Sequence, residues 1–176
     1  SPIFQNYPKF LENHHVMEFF KDTARLIVDA AAAPSELESI MENDMEAHHE
    51  EALLSPAALS TMGDALPGLG IVAAVMGVVV TMGFLDQEAS VIGHKVAAAL
   101  VGTFLGILLS YGIVQPLASN LTHLIREEGR YFTCMKIGLK AMAESLSPML
   151  VVEYVRSSIY ITDRPSAEEV EKMLKG

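Results

Sequence analysis

The feature that most constrains this chain is a run of thirty residues, Val96 to Ile125, without a single Asp, Glu, Lys or Arg. A helix rises 1.5 Å per residue, so the run reaches about 45 Å, against about 30 Å for the hydrocarbon core of a bilayer. It is longer than a span needs. Pro116 falls about twenty residues in, roughly one membrane thickness from Val96. Val96–Gln115 therefore reads as the span and Pro116 as a mark at the far interface, with the same helix continuing from Leu117 toward Arg126.

A second charge-free run, Ala65 to Leu85, lies between Asp64 and Asp86, and Pro67 to Leu85 is again about one bilayer thickness. Two such runs so close together argue against a buried helix of a soluble protein. The short polar connection Asp86–Lys95 makes them a helical hairpin. The expected fold is an all-α membrane protein, a transmembrane helical hairpin with cytoplasmic helical tails. Its parts are a cytoplasmic helical loop region (1–62), a span (63–85), a short extracytoplasmic connection (86–95), a second span (96–116) and a cytoplasmic extension and tail (117–176). Orientation rests on Lys and Arg near the ends. The connection holds Lys95 alone, the first tail Lys9, Lys21 and Arg25, and the last tail eight, beginning with Arg126 and Arg130.

The tails carry helix punctuation. Phe4, Tyr7 and Phe10 open the chain among Pro2 and Pro8. Val16, Phe20, Ala24, Ile27 and Ala31 then recur at steps of three and four, an apolar helix stripe that Pro34 is expected to end. Ser35 and Glu38 have capping-box spacing, opening a helix to about Ala52 with Glu42, Glu46 and Glu50 on its acidic side. Ser55-Pro56 reads as another start. Pro148 is expected to break the extension beyond Arg126, with a mixed, mainly helical Met149–Ile161 after it. Ser166 and Glu169 repeat the capping box.

The chemistry-bearing groups exclude several functions. A net charge of -10 argues against nucleic acid, which needs clustered Lys and Arg. Cys134 is the sole cysteine and reads as a small buried residue. No secretory signal pattern opens the chain. The adjacent pairs His14-His15 and His48-His49 point to different sides of a helix and make poor metal sites, and no set of catalytic residues is visible, so neither an enzyme nor a cofactor is expected. Inside the spans the polar groups are Thr81, Thr103, Ser110, Tyr111 and Gln115. A membrane threonine ordinarily returns its hydroxyl to its own helix. Neither span carries a carboxylate, Lys or Arg, the groups that relay protons through membranes. Any ion-carrying carboxylate must come from another chain. Small residues four apart (Gly70 and Ala74, Ala73 and Gly77, Gly102, Gly106 and Ser110) suit close helix packing in lipid.

Gly63-Asp64-Ala65-Leu66-Pro67, with Gly70 through Gly77, resembles the third membrane helix of the MotA family of flagellar motor stator proteins. Val101 through Gly112, followed by Pro116-Leu117-Ala118, resembles its fourth, and the tail around Glu46-Ala47-His48 and Arg164-Pro165-Ser166 is similar too. The resemblance implies that the chain holds the last two of four spans and begins within the large cytoplasmic loop. It implies a homo-oligomeric plasma-membrane ring, a pentamer, around a dimer of a single-span MotB-like partner that supplies the intramembrane Asp. It also implies contact with the rotor protein FliG. Pro67 and Pro116 match the family's functional prolines, as hinge or coupling residues. Thr103 matches its pore-facing threonine. Sodium-driven relatives place a Thr where this chain has Ala74, which implies proton drive and puts Ala74 with Thr103 on the ion pathway. Lys9, Lys21, Arg25 and Glu46 are candidate rotor-contact charges by location. Two alternatives stand beside a stator: an ExbB- or TolQ-like energiser, and a membrane scaffold that transports nothing.

Overall fold

A computed structural model describes residue 10 and residues 13–175; Lys9 and the opening residues Pro2, Phe4, Tyr7 and Pro8 lie outside the described residues. The described residues form helices and no strand. They are α1 (His14–Val28), α2 (Pro34–Met82), α3 (Ala89–Leu109), a π-helical turn (Ser110–Val114), α4 (Gln115–Ala143), α5 (Pro148–Ser158) and α6 (Ala167–Lys175). They divide into two compact units, residues 1–49 with 126–176, and residues 50–125.

In the first unit, α1 begins where the Asn13 side chain accepts a hydrogen bond from the Val16 amide, 3.2 Å away. Its apolar stripe buries Val16 and Phe19, which join Leu37, Met41, Phe132 and Leu139 in a small core. Phe19 and Phe132 meet edge to face with centroids 5.2 Å apart. Helix α1 stops well before Pro34. The Ala31 amide bonds back to the Leu26 carbonyl and the Ala30 amide to that of Ile27, with Ala30 at φ 48°, a Schellman ending without its usual glycine. The end of α4 repeats it, with Ser145 at φ 56° and Leu146 bonded to Ala141.

The start of α2 also differs from the sequence expectation. Glu36 accepts a hydrogen bond from the Ala33 amide at 2.8 Å, so the box closes two residues earlier and Ser35 lies inside the helix. Nor does α2 end near Ala52 and restart at Ser55-Pro56; Pro56 and Pro67 are both internal. Pro56 is buried, lining a groove with Leu53, Ala57, Ala118 and Thr122. Packing of this kind compensates for the one hydrogen bond a proline removes.

The C-terminal signals are realised. The Ser166 amide donates to Glu169 at 2.8 Å, and the Glu169 amide to the Ser166 hydroxyl at 3.2 Å. Arg164 closes the end of α5, its guanidinium donating to the carbonyl oxygens of Ser157 and Ile159 at 2.7 and 2.9 Å. Cys134 is half-buried and accepts a hydrogen bond from the Ser158 hydroxyl.

In the second unit the C-terminal part of α2 pairs with α3. The break between them covers residues 83–88, and Ser90, His94 and Lys95 lie within α3, where the Lys95 ammonium stands 3.9 Å from the centre of the Phe84 ring. The apolar side chains face outward: Val79 is 65% exposed and Phe104 63%. A soluble fold would bury such helices. Here their outer surface is fit for lipid or for other membrane helices.

Candidate functional site

The contact between the two apolar helices is made by their smallest residues. A Cβ on Gly106 would lie 2.6 Å from the Leu66 carbonyl oxygen, and one on Gly70 would lie 2.8 Å from that of Gly102. Gly77 is set against Ala99, and Gly102 against Ala73. The seam is thus Gly70, Ala73 and Gly77 on α2 against Ala99, Gly102 and Gly106 on α3. Larger side chains at these points would hold the backbones apart.

Thr103 sits in this seam. Its hydroxyl donates to the Gly70 carbonyl oxygen of the other helix at 3.2 Å rather than back to its own. Thr81 follows the ordinary pattern, donating to Gly77 at 2.8 Å. Residues 67, 70 and 74 share one face of α2 by helical spacing, so Thr103 touches the face that also carries Pro67 and Ala74. Pro67 and Ala74 are half-buried and Pro116 is exposed.

Pro116 has no amide hydrogen, and its ring crowds the carbonyl four residues back. The π-turn Ser110–Val114 ends two positions before it and inserts one residue into the helix. The Gln115 amide bonds to Ser110 instead of Tyr111. The sequence does not display this register change.

Gln115 was legible only as one polar group in an apolar run. In the fold its side-chain amide donates to the Asp64 carboxylate at 2.7 Å and to the Ser60 carbonyl at 3.3 Å, while the Ser60 hydroxyl approaches its oxygen at 3.5 Å. Both Asp64 oxygens and the Ser60 carbonyl can only accept, which fixes the amide nitrogen toward them. Gly63 makes the approach possible, since a Cβ there would lie 3.0 Å from that nitrogen. The usable signal was an acid bounding one apolar run and an amide beside the proline of the other.

The candidate charges fall in the first unit. Lys21 and Arg25 lie one turn apart on α1, both exposed, with Arg25 3.7 Å from Asp29; Glu46 is exposed on α2. Lys136 pairs with Glu42 at 2.8 Å and Lys140 with Glu38 at 2.5 Å. The Lys140 hydrogen bond holds the Glu38 carboxyl below its ordinary range. His48 packs on His15 and Phe132, with centroids 4.9 and 5.3 Å away. Among the described residues no cluster of His, Cys, Asp and Glu could hold a metal ion.

The chain is similar to known proteins. The chain is 39% identical over 99% of its length to Motility protein A of Escherichia coli (strain K12), and 36% identical over 99% to Chemotaxis protein LafT of Vibrio parahaemolyticus. It spans 59% and 61% of those relatives. The flagellar MotAB stator complex from Bacillus subtilis contains a chain matched with a TM-score of 0.75 at 26% identity, covering 83% of this chain and 57% of that one. Another structure, C. jejuni MotAB, shares the fold with a TM-score of 0.79 at 20% identity, covering 94% of this chain and 63% of that one. The two outward-facing apolar helices are accordingly membrane-spanning. With its family model matched over residues 11–133, more than half its length, the chain belongs to the MotA/TolQ/ExbB proton channel family.

Proposed function

We propose that this chain is part of a stator subunit of the bacterial flagellar motor that, with a MotB-like partner, conducts ions and converts their flow into torque. The observation that carries this reading is the similarity to motility proteins along 99% of the chain, tails included. It is favoured over an ExbB- or TolQ-like energiser because the named relatives are motility and chemotaxis proteins. No catalytic step belongs to it.

The spans suit such a division of labour. They contain no carboxylate, so the titrating Asp comes from the single-span partner. Thr103, bonded in the seam, and Ala74, on the same face as Pro67, form this chain's side of the ion path. Ala74 offers no side-chain oxygen to replace sodium's hydration, which favours protons. Moving one charge through 100 mV releases about 2.3 kcal/mol, so a large mechanical step needs several ions. Pro67 and Pro116 act as hinges that pass the change to the tails. The charge asymmetry supports cytoplasmic tails in a bacterial inner-membrane protein, where Lys21, Arg25, Glu46 and Lys9 are the charges offered to the rotor protein FliG. Five copies around two partner chains complete the assembly. The test is motility: the full-length gene should restore swimming to a strain lacking its own stator subunit when supplied with its partner. Assembly at normal levels without swimming or ion flux would favour the scaffold instead.

A further inference from the structure

We propose that Gln115 is a positioning residue, a latch that holds the π-turn before Pro116 in register by gripping Asp64 of the neighbouring helix. The inference rests on the stator reading for the movement it controls, and on the geometry of the second unit for the latch itself.

Three observations meet here. First, the π-turn is an inserted residue, so changing it to α-helical register rotates everything beyond it by about 100° and moves it by about 1.5 Å. Pro116 makes such a change cheap at its own position, because it has no amide hydrogen to re-pair in either register. Second, the turn is not locally at its best. The Ser110 side chain is fully buried, yet its hydroxyl has no hydrogen-bond partner. A buried unpaired hydroxyl is destabilising, so this register carries a cost that another register need not. Third, a side chain next to the turn is placed to hold this register. Gln115 is the first residue after the turn, and its side-chain amide reaches Asp64 at 2.7 Å and Ser60 at 3.3 Å. A rotation of 100° carries it away from both. The bond to Asp64 is short, 2.7 Å, and lies on the exposed side of the contact. Asp64 lies three residues before Pro67, so the latch ties the neighbourhood of one proline to that of the other.

The experiment replaces the amide by a titratable copy of itself. Gln115→Glu keeps the length of the side chain. When protonated, it donates to Asp64 as the amide does; when ionised, two carboxylates face each other and one must give way. The full-length protein with its partner is assayed in vesicles under an imposed ion gradient, with flux expressed as a ratio to wild type at each pH. The latch predicts a ratio within about twofold of unity near pH 5 that falls on the order of tenfold by pH 8. Gln115→Leu, of similar bulk and without donors, should be low at both. A Gln115→Glu ratio independent of pH, or a Gln115→Leu variant conducting like wild type, overturns the latch. Thermal unfolding of the same complexes separates a positioning role from a merely structural one: a pH-dependent loss of stability with unaltered flux also overturns it. If wild type itself conducts nothing, the stator reading fails. The latch is then judged on unfolding alone, where Gln115→Glu must lose stability between pH 5 and 8 while wild type does not.

Discussion

The Thr103 hydroxyl donates to the carbonyl oxygen of Gly70 at 3.2 Å, from one membrane helix to the other. This bond ties the candidate pore-facing residue to the glycine seam that lets the two backbones approach. Thr103→Val keeps the shape and removes the donor. Interhelical hydrogen bonds in membranes are worth about 0.6 kcal/mol, so the variant should assemble nearly normally. Ion flux should fall well beyond that small loss if Thr103 lines the path, and Thr103→Ser should restore most of it. Equal flux in the Val and Ser variants would remove Thr103 from the path.

The seam itself is steric. Gly106→Ala places a Cβ 2.6 Å from the Leu66 backbone oxygen, which cannot yield without moving a helix. A cost of about 1–3 kcal/mol is expected, read as reduced membrane levels and lower thermal stability. Gly68→Ala and Gly93→Ala meet open space and should leave both unchanged.

Two helix ends carry a residue other than glycine at positive φ, Ala30 at 48° and Ser145 at 56°. Ala30→Gly and Ser145→Gly should each stabilise the first unit by roughly 1 kcal/mol, measured as a rise in Tm of the purified protein. A fall in Tm would show that the Schellman endings do not limit stability.

The pair Glu38–Lys140 predicts an acid-side pH dependence. The hydrogen bond from Lys140 holds the Glu38 carboxyl below its ordinary value of 4.5. Its contribution is therefore complete above that value and is lost as pH falls through the lowered one. Lys140 is shifted upward by the same bond, so its contribution is present below its ordinary value and is lost only in strong alkali. Lys140→Met should flatten the loss of thermal stability between about pH 5 and pH 3 relative to wild type. The pair is solvated, so the effect is small. An unchanged acid slope in the variant would place the sensitivity elsewhere.

Much of this was legible because membranes impose simple rules. Two charge-free runs of bilayer length gave the hairpin, and the reciprocal Ser166–Glu169 box was readable from spacing alone. What escaped was decided between segments rather than within them. Pro56 looks like a helix start until its burial in the groove beside Ala118 is known. Thr103 has a local acceptor available, and only the close approach at Gly70 offers a better placed one. The Ser35 box failed because Glu36 reaches the Ala33 amide after an earlier turn has already ended α1. Gln115 and Asp64 are fifty-one residues apart, and their meeting depends on a π-turn that no periodicity reveals.

The stator reading makes this chain part of a proton path. The most direct measurement is internal pH in vesicles or cells carrying the full-length protein with its single-span partner, in sodium-free medium under an imposed potential. A proton path through this chain gives acidification that is abolished when the partner's intramembrane Asp becomes Asn. Well-assembled complexes that conduct no protons, whether silent or passing only sodium, would contradict it.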